Sequence, residues 1–184
     1  SRLLYILLGI AAFFMGPQIF PDYNLYQFSL IAVTSLIVLG LVIVTGIAGQ
    51  ISLGQSAFVA LGGYGAAILG AGYGIPLWLA IPLVAVLVSA VGFVLGLMTL
   101  RIEGHYLALT TMAFTAIIQL ALIHADSVTG GAAGMPVPSF EIFGQTLSSG
   151  AELYYLIIPV TALLFVAVIN LNNSRIGRAF AAIR

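Results

Sequence analysis

Six long apolar stretches, separated by connections that hold the charged residues, constrain this sequence most. They cover residues 3–20, 25–46, 53–71, 75–100, 106–123 and 153–171. A helix rises about 1.5 Å per residue and the hydrocarbon layer is about 30 Å thick, so about 20 apolar residues span it. Because 62% of the residues are hydrophobic and only 5% are charged, the chain cannot cover a core with polar surface. The sequence therefore predicts an all-α, polytopic transmembrane helical bundle of about six spans.

The arginines predict which side of the membrane each connection faces. Positively charged side chains are retained on the cytoplasmic side. A cytoplasmic N-terminus followed by six alternating passes places all of them inside: Arg2, Arg101, Arg175, Arg178 and Arg184. Four of the five acids then face outward: Asp22, Asp126, Glu141 and Glu152. Residues 124–152 are accordingly predicted to form an extracytoplasmic loop, and residues 172–184 a cytoplasmic segment.

A polar segment, residues 45–56, joins the second and third spans. Where a helix breaks at membrane depth, its freed backbone groups need partners from protein or water, and transporters place binding sites at such breaks. On this interpretation four polar side chains are candidates for lining a substrate path: Gln50, Ser52, Gln55 and Ser56. A cytoplasmic turn with a serine cap explains the same composition equally well. The residues alone leave both interpretations open.

The fifth span carries a polar face formed by Thr111, Thr115 and Gln119, which recur every four residues. Lipid cannot satisfy the donors and acceptors of an amide, so Gln119 should face another helix or an aqueous path. Contact with a neighbouring helix is the favoured role, and lining of a path is the alternative.

Small residues spaced three and four apart on the third and fourth spans predict close helix packing. The candidates are Ala60, Gly63 and Ala67 on the third span and Gly92 and Gly96 on the fourth. The face of the third span also includes Ser52, Ser56 and Gly70, so the alternative is that this face lines a pathway.

Several kinds of chemistry are excluded by what the sequence lacks. It has no cysteine, no glycine-rich loop with lysine for nucleotide phosphates, and no basic run for nucleic acid. His105 and His124 lie too far apart along one predicted helix to share a metal. We therefore predict no enzymatic activity, no metal and no cofactor. A proton-driven carrier is disfavoured because no charged residue lies within a span.

Four motifs, at residues 49–58 with 62–64, 101–108, 129–134 and 174–184, resemble those of the branched-chain amino acid ABC permeases. Residues 49–58 read GQISLGQSAF, similar to the family's G-Q-x-S-L-G-x-A-A-F, and a G-G-Y at 62–64 follows. Residues 101–108 resemble L-R-x-x-G-x-Y-L-A, and residues 129–134 resemble the outward T-G-G-x-x-G loop. Residues 174–184 resemble the cytoplasmic S-R-x-G-R-A-x-x-A-I-R. The chain is more similar to the M-type permease than to its H-type partner, and permeases for urea and short amides share these motifs.

This resemblance implies an importer in the plasma (inner) membrane of a prokaryote. It implies a second permease subunit, two cytoplasmic ATPase subunits and an extracytoplasmic substrate-binding protein. In the family the last motif docks on the ATPase, which implies a coupling role for Arg175, Gly177, Arg178 and Ala182. Family members continue with further spans, so residues 1–184 are expected to form one partial permease domain.

The expected function is import of branched-chain or other hydrophobic amino acids by alternating access driven by the ATPases. A permease for urea or short amides is the first alternative. An ion-coupled secondary carrier and a membrane scaffold without transport are the others.

Overall fold

The computed structural model describes residues 13–47, 49, 52–99, 105–142, 145–147 and 149–174. Most of these residues are helical. The helices are α1 (13–19 in the described part), α2 (Asp22–Leu41), α3 (Gln55–Ala67), α4 (Leu77–Thr99), α5 (His105–His124), α6 (Asp126–Thr129) and α7 (Gly150–Asn173). A π-helix, Val42–Ile47, continues α2, and a second, Ile68–Gly72, continues α3. The predicted all-α membrane bundle is confirmed.

Four helices among the described residues are long and apolar enough to cross a membrane: Asp22–Gly46, Leu77–Thr99, Tyr106–His124 and Gly150–Asn173. They match the second, fourth, fifth and sixth predicted stretches. The third stretch is occupied by α3 and its π-helical continuation. Most of the first stretch and Arg2 lie outside the described residues. The count of six spans and the cytoplasmic N-terminus therefore stay predictions.

A hydrogen bond connects the start of α2 to the start of α7. Ser149 caps α7, because its hydroxyl accepts a hydrogen bond from the Ala151 N–H at 3.3 Å and its own N–H donates to Glu152 at 3.2 Å. The same hydroxyl donates to the Asp22 carboxylate at 3.2 Å. Since their starts meet and they pack along each other, α2 and α7 run in the same direction.

The helix α3 packs against α4 in the opposite direction and against α5 in the same direction. Gly65 of α3 lies against Val84, and Phe58, nearer the start of α3, lies against Gly92, later in α4. Phe58 also packs on Phe114 of α5, with ring centroids 5.5 Å apart. These directions are the ones expected of a chain whose successive long helices cross the membrane in alternating directions.

The segment between α5 and α7 has more structure than the predicted loop. The Thr129 hydroxyl donates to the Leu122 carbonyl at 2.6 Å, and Gly131 N–H donates back to the Thr129 oxygen at 3.2 Å. Gly130 and Gly131 have φ of 73° and 56°, a region that glycine adopts without strain. A 3₁₀ turn, Gly131–Ala133, follows, and strands β1 (Phe140–Ile142) and β2 (Gln145–Leu147) pair antiparallel. The T-G-G-x-x-G motif therefore closes the end of α5.

Large apolar side chains cover the outside of the described bundle. On α4, Val86, Phe93 and Met98 are 69%, 68% and 71% exposed. On α5, Ile117 is 63% exposed. Such a surface is unfavourable in water and favourable in hydrocarbon, so it supports lipid as the surroundings of these helices.

We predict that Gly65→Ala destabilises the bundle. A Cβ atom at Gly65 would lie 2.8 Å from a methyl carbon of Val84, which is buried and stiff because it is β-branched. The strain should lower the free energy of unfolding by about 1–3 kcal/mol. Thermal unfolding of the purified protein in detergent measures the change.

Gly62→Ala is the matched control, because a Cβ atom at Gly62 of the same helix meets nothing within 4 Å. It should be neutral or slightly stabilising, since alanine is the better helix former. Equal melting temperatures for the two variants would contradict the α3–α4 packing described above.

Candidate functional site

The chain breaks its helical path at Ser52–Gly54, directly before α3. The backbone N–H of Leu53 donates to the Thr111 hydroxyl at 2.9 Å, and the Thr115 hydroxyl donates to the Leu53 carbonyl at 3.1 Å. The N–H of Gly54 donates to the Ser52 hydroxyl at 3.4 Å. Two side chains of α5 therefore supply the hydrogen bonds that a continuous helix would have made at Leu53.

The break is level with the interior of α5. Thr111 and Thr115 lie six and ten residues after His105, where α5 begins, so they are about 9 and 15 Å along its axis. Leu53 bonds to both of them and therefore lies at that level. This position favours a break at membrane depth over a turn at the cytoplasmic surface. Gln50, the remaining candidate of this segment, lies outside the described residues.

Gln55 faces α2 instead of α5. Its side-chain amide donates to the carbonyl of Ile37 at 3.2 Å. Gly40 leaves room for this contact, since a Cβ atom there would lie 2.8 Å from the Gln55 amide nitrogen. In this structure Gln55 therefore joins the start of α3 to α2.

Ser56, Thr115 and Gln119, three of the predicted path residues, line one cavity between α3 and α5. Its volume is about 420 Å³. The other lining residues are Ala57, Ala60, Tyr64, Ile118, Leu122 and Ile123. Thr111 is buried beside it and is absent from its lining. The structure thus brings together polar groups that are up to 63 residues apart in the sequence, from Ser56 to Gln119.

A second cavity of about 330 Å³ continues along α3. It shares Ala60 and Tyr64 with the first and then passes Gly63 and Ala67. Its far end is formed by the loop residues Gly134, Met135 and Val137. We call the two cavities together the α3–α5 groove. It leads from the break before α3 to the loop that follows α5.

The polar side chains of the α3–α5 groove are open to its surroundings. Ser56 and Gln119 are both exposed, and no described residue makes a hydrogen bond to the Gln119 amide. An amide facing hydrocarbon without a partner costs several kcal/mol, on the order of 2–7. This face is therefore suited to contact with water or with a polar protein surface, and the apolar face of α4 is suited to lipid.

Some of the predicted packing residues contact other parts of the structure, and others face open space. Ala67 is buried, Ala60 is half-buried, and Gly92 faces the Phe58 ring. At Gly63 and Gly96 a Cβ atom would meet nothing within 4 Å. Their packing role thus needs a neighbour other than the described residues, and it stays a prediction.

Tyr64 is a groove residue that the sequence reasoning did not select. It lies in the G-G-Y continuation of the motif and one helical turn after Ala60, which places both on one face of α3. That spacing was the available signal. The predicted coupling residues lie outside the described part of the chain: Arg175, Gly177, Arg178 and Ala182.

The fold and the groove describe a helical membrane protein with an open groove that is lined by apolar side chains and a few polar ones. Residues 23–184 match the family described as "Branched-chain amino acid transport system / permease component". The chain belongs to this family. The motifs in its sequence predict this membership.

Two curated relatives carry the name high-affinity branched-chain amino acid transport system permease protein LivM. The Escherichia coli (strain K12) protein is 36% identical over 115 residues, which are 62% of this chain and 27% of the relative. The Salmonella typhimurium (strain LT2) protein is 38% identical over 111 residues, 60% of this chain and 26% of the relative. The matched part thus spans about a quarter of the length of each relative. No solved structure matches the chain.

We predict that a cysteine at Gln119 reacts with a membrane-impermeant thiol reagent faster than a cysteine at Ile117. A thiol reacts as the thiolate, which forms where water is present. We expect water in the α3–α5 groove and none on an apolar face in contact with lipid. The chain has no native cysteine, so each variant reports one position. Labelling rates in sealed vesicles measure the difference. Equal rates would contradict the access of water to the Gln119 face.

Proposed function

We propose that this chain is a permease subunit of an ATP-binding cassette importer for branched-chain or other hydrophobic amino acids. Membership of the permease family and the names of the two relatives support the class and the substrate. The observation that carries the proposal is the α3–α5 groove, which joins a broken helix to the loop after α5 through polar and apolar side chains.

The groove has the chemistry that a hydrophobic amino acid requires. Hydroxyl groups of Ser56 and Tyr64 and the amide of Gln119 can hydrogen-bond the substrate's ammonium and carboxylate. The remaining side chains of its first cavity are alanine, leucine and isoleucine, which suit a branched aliphatic side chain. This combination accommodates a solute that is polar at one end and apolar at the other.

A second permease subunit completes the path in this proposal. The first cavity of the groove is lined by α3 and α5 alone among the described helices, and Ser56 and Gln119 remain exposed on it. A polar surface from the partner would close the groove and satisfy these groups. The open face at Gly96 of α4 offers close approach for a neighbouring helix.

ATP hydrolysis on two cytoplasmic ATPase subunits drives alternating access in this proposal. The coupling residues are those of the last motif: Arg175, Gly177, Arg178 and Ala182. They follow α7 directly, and α7 packs along α2, so a movement of the coupling segment would be transmitted to this helix pair. In this proposal the extracytoplasmic substrate-binding protein delivers its ligand at the opposite side, to which the arginine distribution assigns residues 124–152.

A permease for urea or short amides is the second candidate. Every polar group of the groove is neutral, and hydroxyls with an amide suit a small uncharged amide as well as an amino acid. An ion-coupled carrier differs from both ABC permeases in its energy source, because it uses an ion gradient and requires no ATPase.

Uptake by proteoliposomes that contain the complete transporter tests the proposal. With ATP enclosed on the ATPase side and binding protein outside, labelled leucine should accumulate and urea should not. Uptake that is independent of ATP and collapses with an ion gradient would contradict the ABC mechanism. Uptake of urea in place of leucine would establish the second candidate.

Gly63→Leu should abolish this uptake without reducing the amount of assembled transporter. Gly63 lines the second cavity of the groove, and a side chain there fills open space instead of clashing. Gly62→Leu is the matched control, because Gly62 is the preceding residue, a Cβ atom there also meets nothing within 4 Å, and Gly62 does not line the groove. Equal uptake by the two variants would show that the solute does not pass along α3.

A further inference from the structure

We propose that Thr111 and Thr115 are positioning residues that set the place of α3 against α5. In this role they bind the backbone of Leu53 instead of the solute. The sequence suggested both threonines as lining residues, and the hydrogen bonds give them a different task. The proposal depends on the proposed function only for its effect on uptake, since the placement of α3 is a property of the chain itself.

The hydroxyl of Thr111 bonds to backbone groups, and Thr111 does not line the groove. Its side chain is only 5% exposed. Its hydroxyl donates to the Ala108 carbonyl at 3.0 Å and accepts from the Leu53 N–H at 2.9 Å. Its proton and one of its two lone pairs are occupied in this way, so the hydroxyl connects the backbone of α5 to the backbone of Leu53.

Thr115 connects the break to the groove. Its hydroxyl has a single proton and lies 3.1 Å from two carbonyl oxygens, that of Leu53 and that of Thr111. The same side chain lines the first cavity of the groove. It can therefore hold Leu53 while the groove is in its present form and exchange that bond for the one within α5 if α3 moves.

The two contacts hold the start of α3 in place because they bind Leu53, which lies two residues before Gln55, the first residue of the helix. Gln55 itself is bound to α2 through the Ile37 carbonyl. The start of α3 is thus held from α5 and from α2 at once. Loss of the α5 contacts would leave a backbone N–H and a carbonyl without partners at membrane depth, where lipid offers none. Rearrangement of α3, and with it of the groove wall at Ser56, is the expected response.

Crosslinking between α3 and α5 tests this placement without any solute. Ser56→Cys and Gln119→Cys put one thiol on each wall of the first cavity, and the cysteine-free chain contains no other. A short thiol crosslinker should join them readily. Adding Thr111→Val, which keeps the shape and removes the hydroxyl, should lower the crosslinking rate about tenfold. Thr111→Ser, which restores the hydroxyl, should restore the rate to within about twofold of the parent.

Thr110→Val is the matched control. Thr110 is the neighbouring threonine of α5, and its hydroxyl bonds only within that helix, to the Tyr106 carbonyl at 2.9 Å. It should crosslink at the parent rate. Thr115→Val should reduce the rate in the same direction as Thr111→Val but by less, because an unpaired carbonyl is tolerated better than an unpaired N–H.

Crosslinking at the parent rate in both Thr111→Val and Thr115→Val would overturn the proposal, as would failure of Thr111→Ser to restore it. If Thr111→Val and Thr115→Val do not accumulate in the membrane while Thr111→Ser and Thr110→Val do, the requirement for the hydroxyl is shown by accumulation itself. In the complete transporter with native Ser56 and Gln119, the same order of variants is expected for leucine uptake. A preserved crosslinking order with no leucine uptake in any variant would refute the proposed function and leave the placement of α3 intact.

Discussion

A backbone that leaves its helical path inside a bilayer must find hydrogen-bond partners in the protein, because hydrocarbon offers none. At Leu53 these partners are two hydroxyls of α5. Their bonds place the start of α3, and the place of α3 in turn creates the groove that it shares with α5. The groove therefore depends on the hydrogen bonds made by the backbone N–H and carbonyl of Leu53, where the helical path is interrupted.

The end of the bundle that carries Asp22, Thr129 and Ser149 is organised by contacts of a different kind. The Ser149 hydroxyl both caps α7 and donates to Asp22, so α2 and α7 begin together. The turn at Thr129 closes α5 and leads the chain to the mouth of the α3–α5 groove. One side of the bundle is thus held by caps and turns, and the membrane interior by hydroxyls bonded to backbone.

Hydropathy predicted the long helices to within a few residues: α4 was expected over 75–100 and covers Leu77–Thr99. It could not predict the hairpin of β1 and β2, which depends on pairing within a segment of mixed composition. The spacing of Thr115 and Gln119 correctly placed both on one face of α5, and both line the groove. The partner of Thr111 lies 58 residues away, and the contact of Gln55 with α2 depends on the space left by Gly40, so neither was visible in local sequence.

The depth of the break at Leu53 is the claim on which this account rests, and spin-label accessibility in nanodiscs measures it directly. Single cysteines at Leu53, Met112 and Tyr106, all with exposed side chains, would carry the label. The ratio of collisions with oxygen to collisions with a water-soluble nickel complex increases with depth in the bilayer. If the break lies at membrane depth, Leu53 ranks with Met112, in the interior of α5. A ratio at Leu53 equal to that at Tyr106, near the start of α5, would place the break at the membrane surface and contradict it.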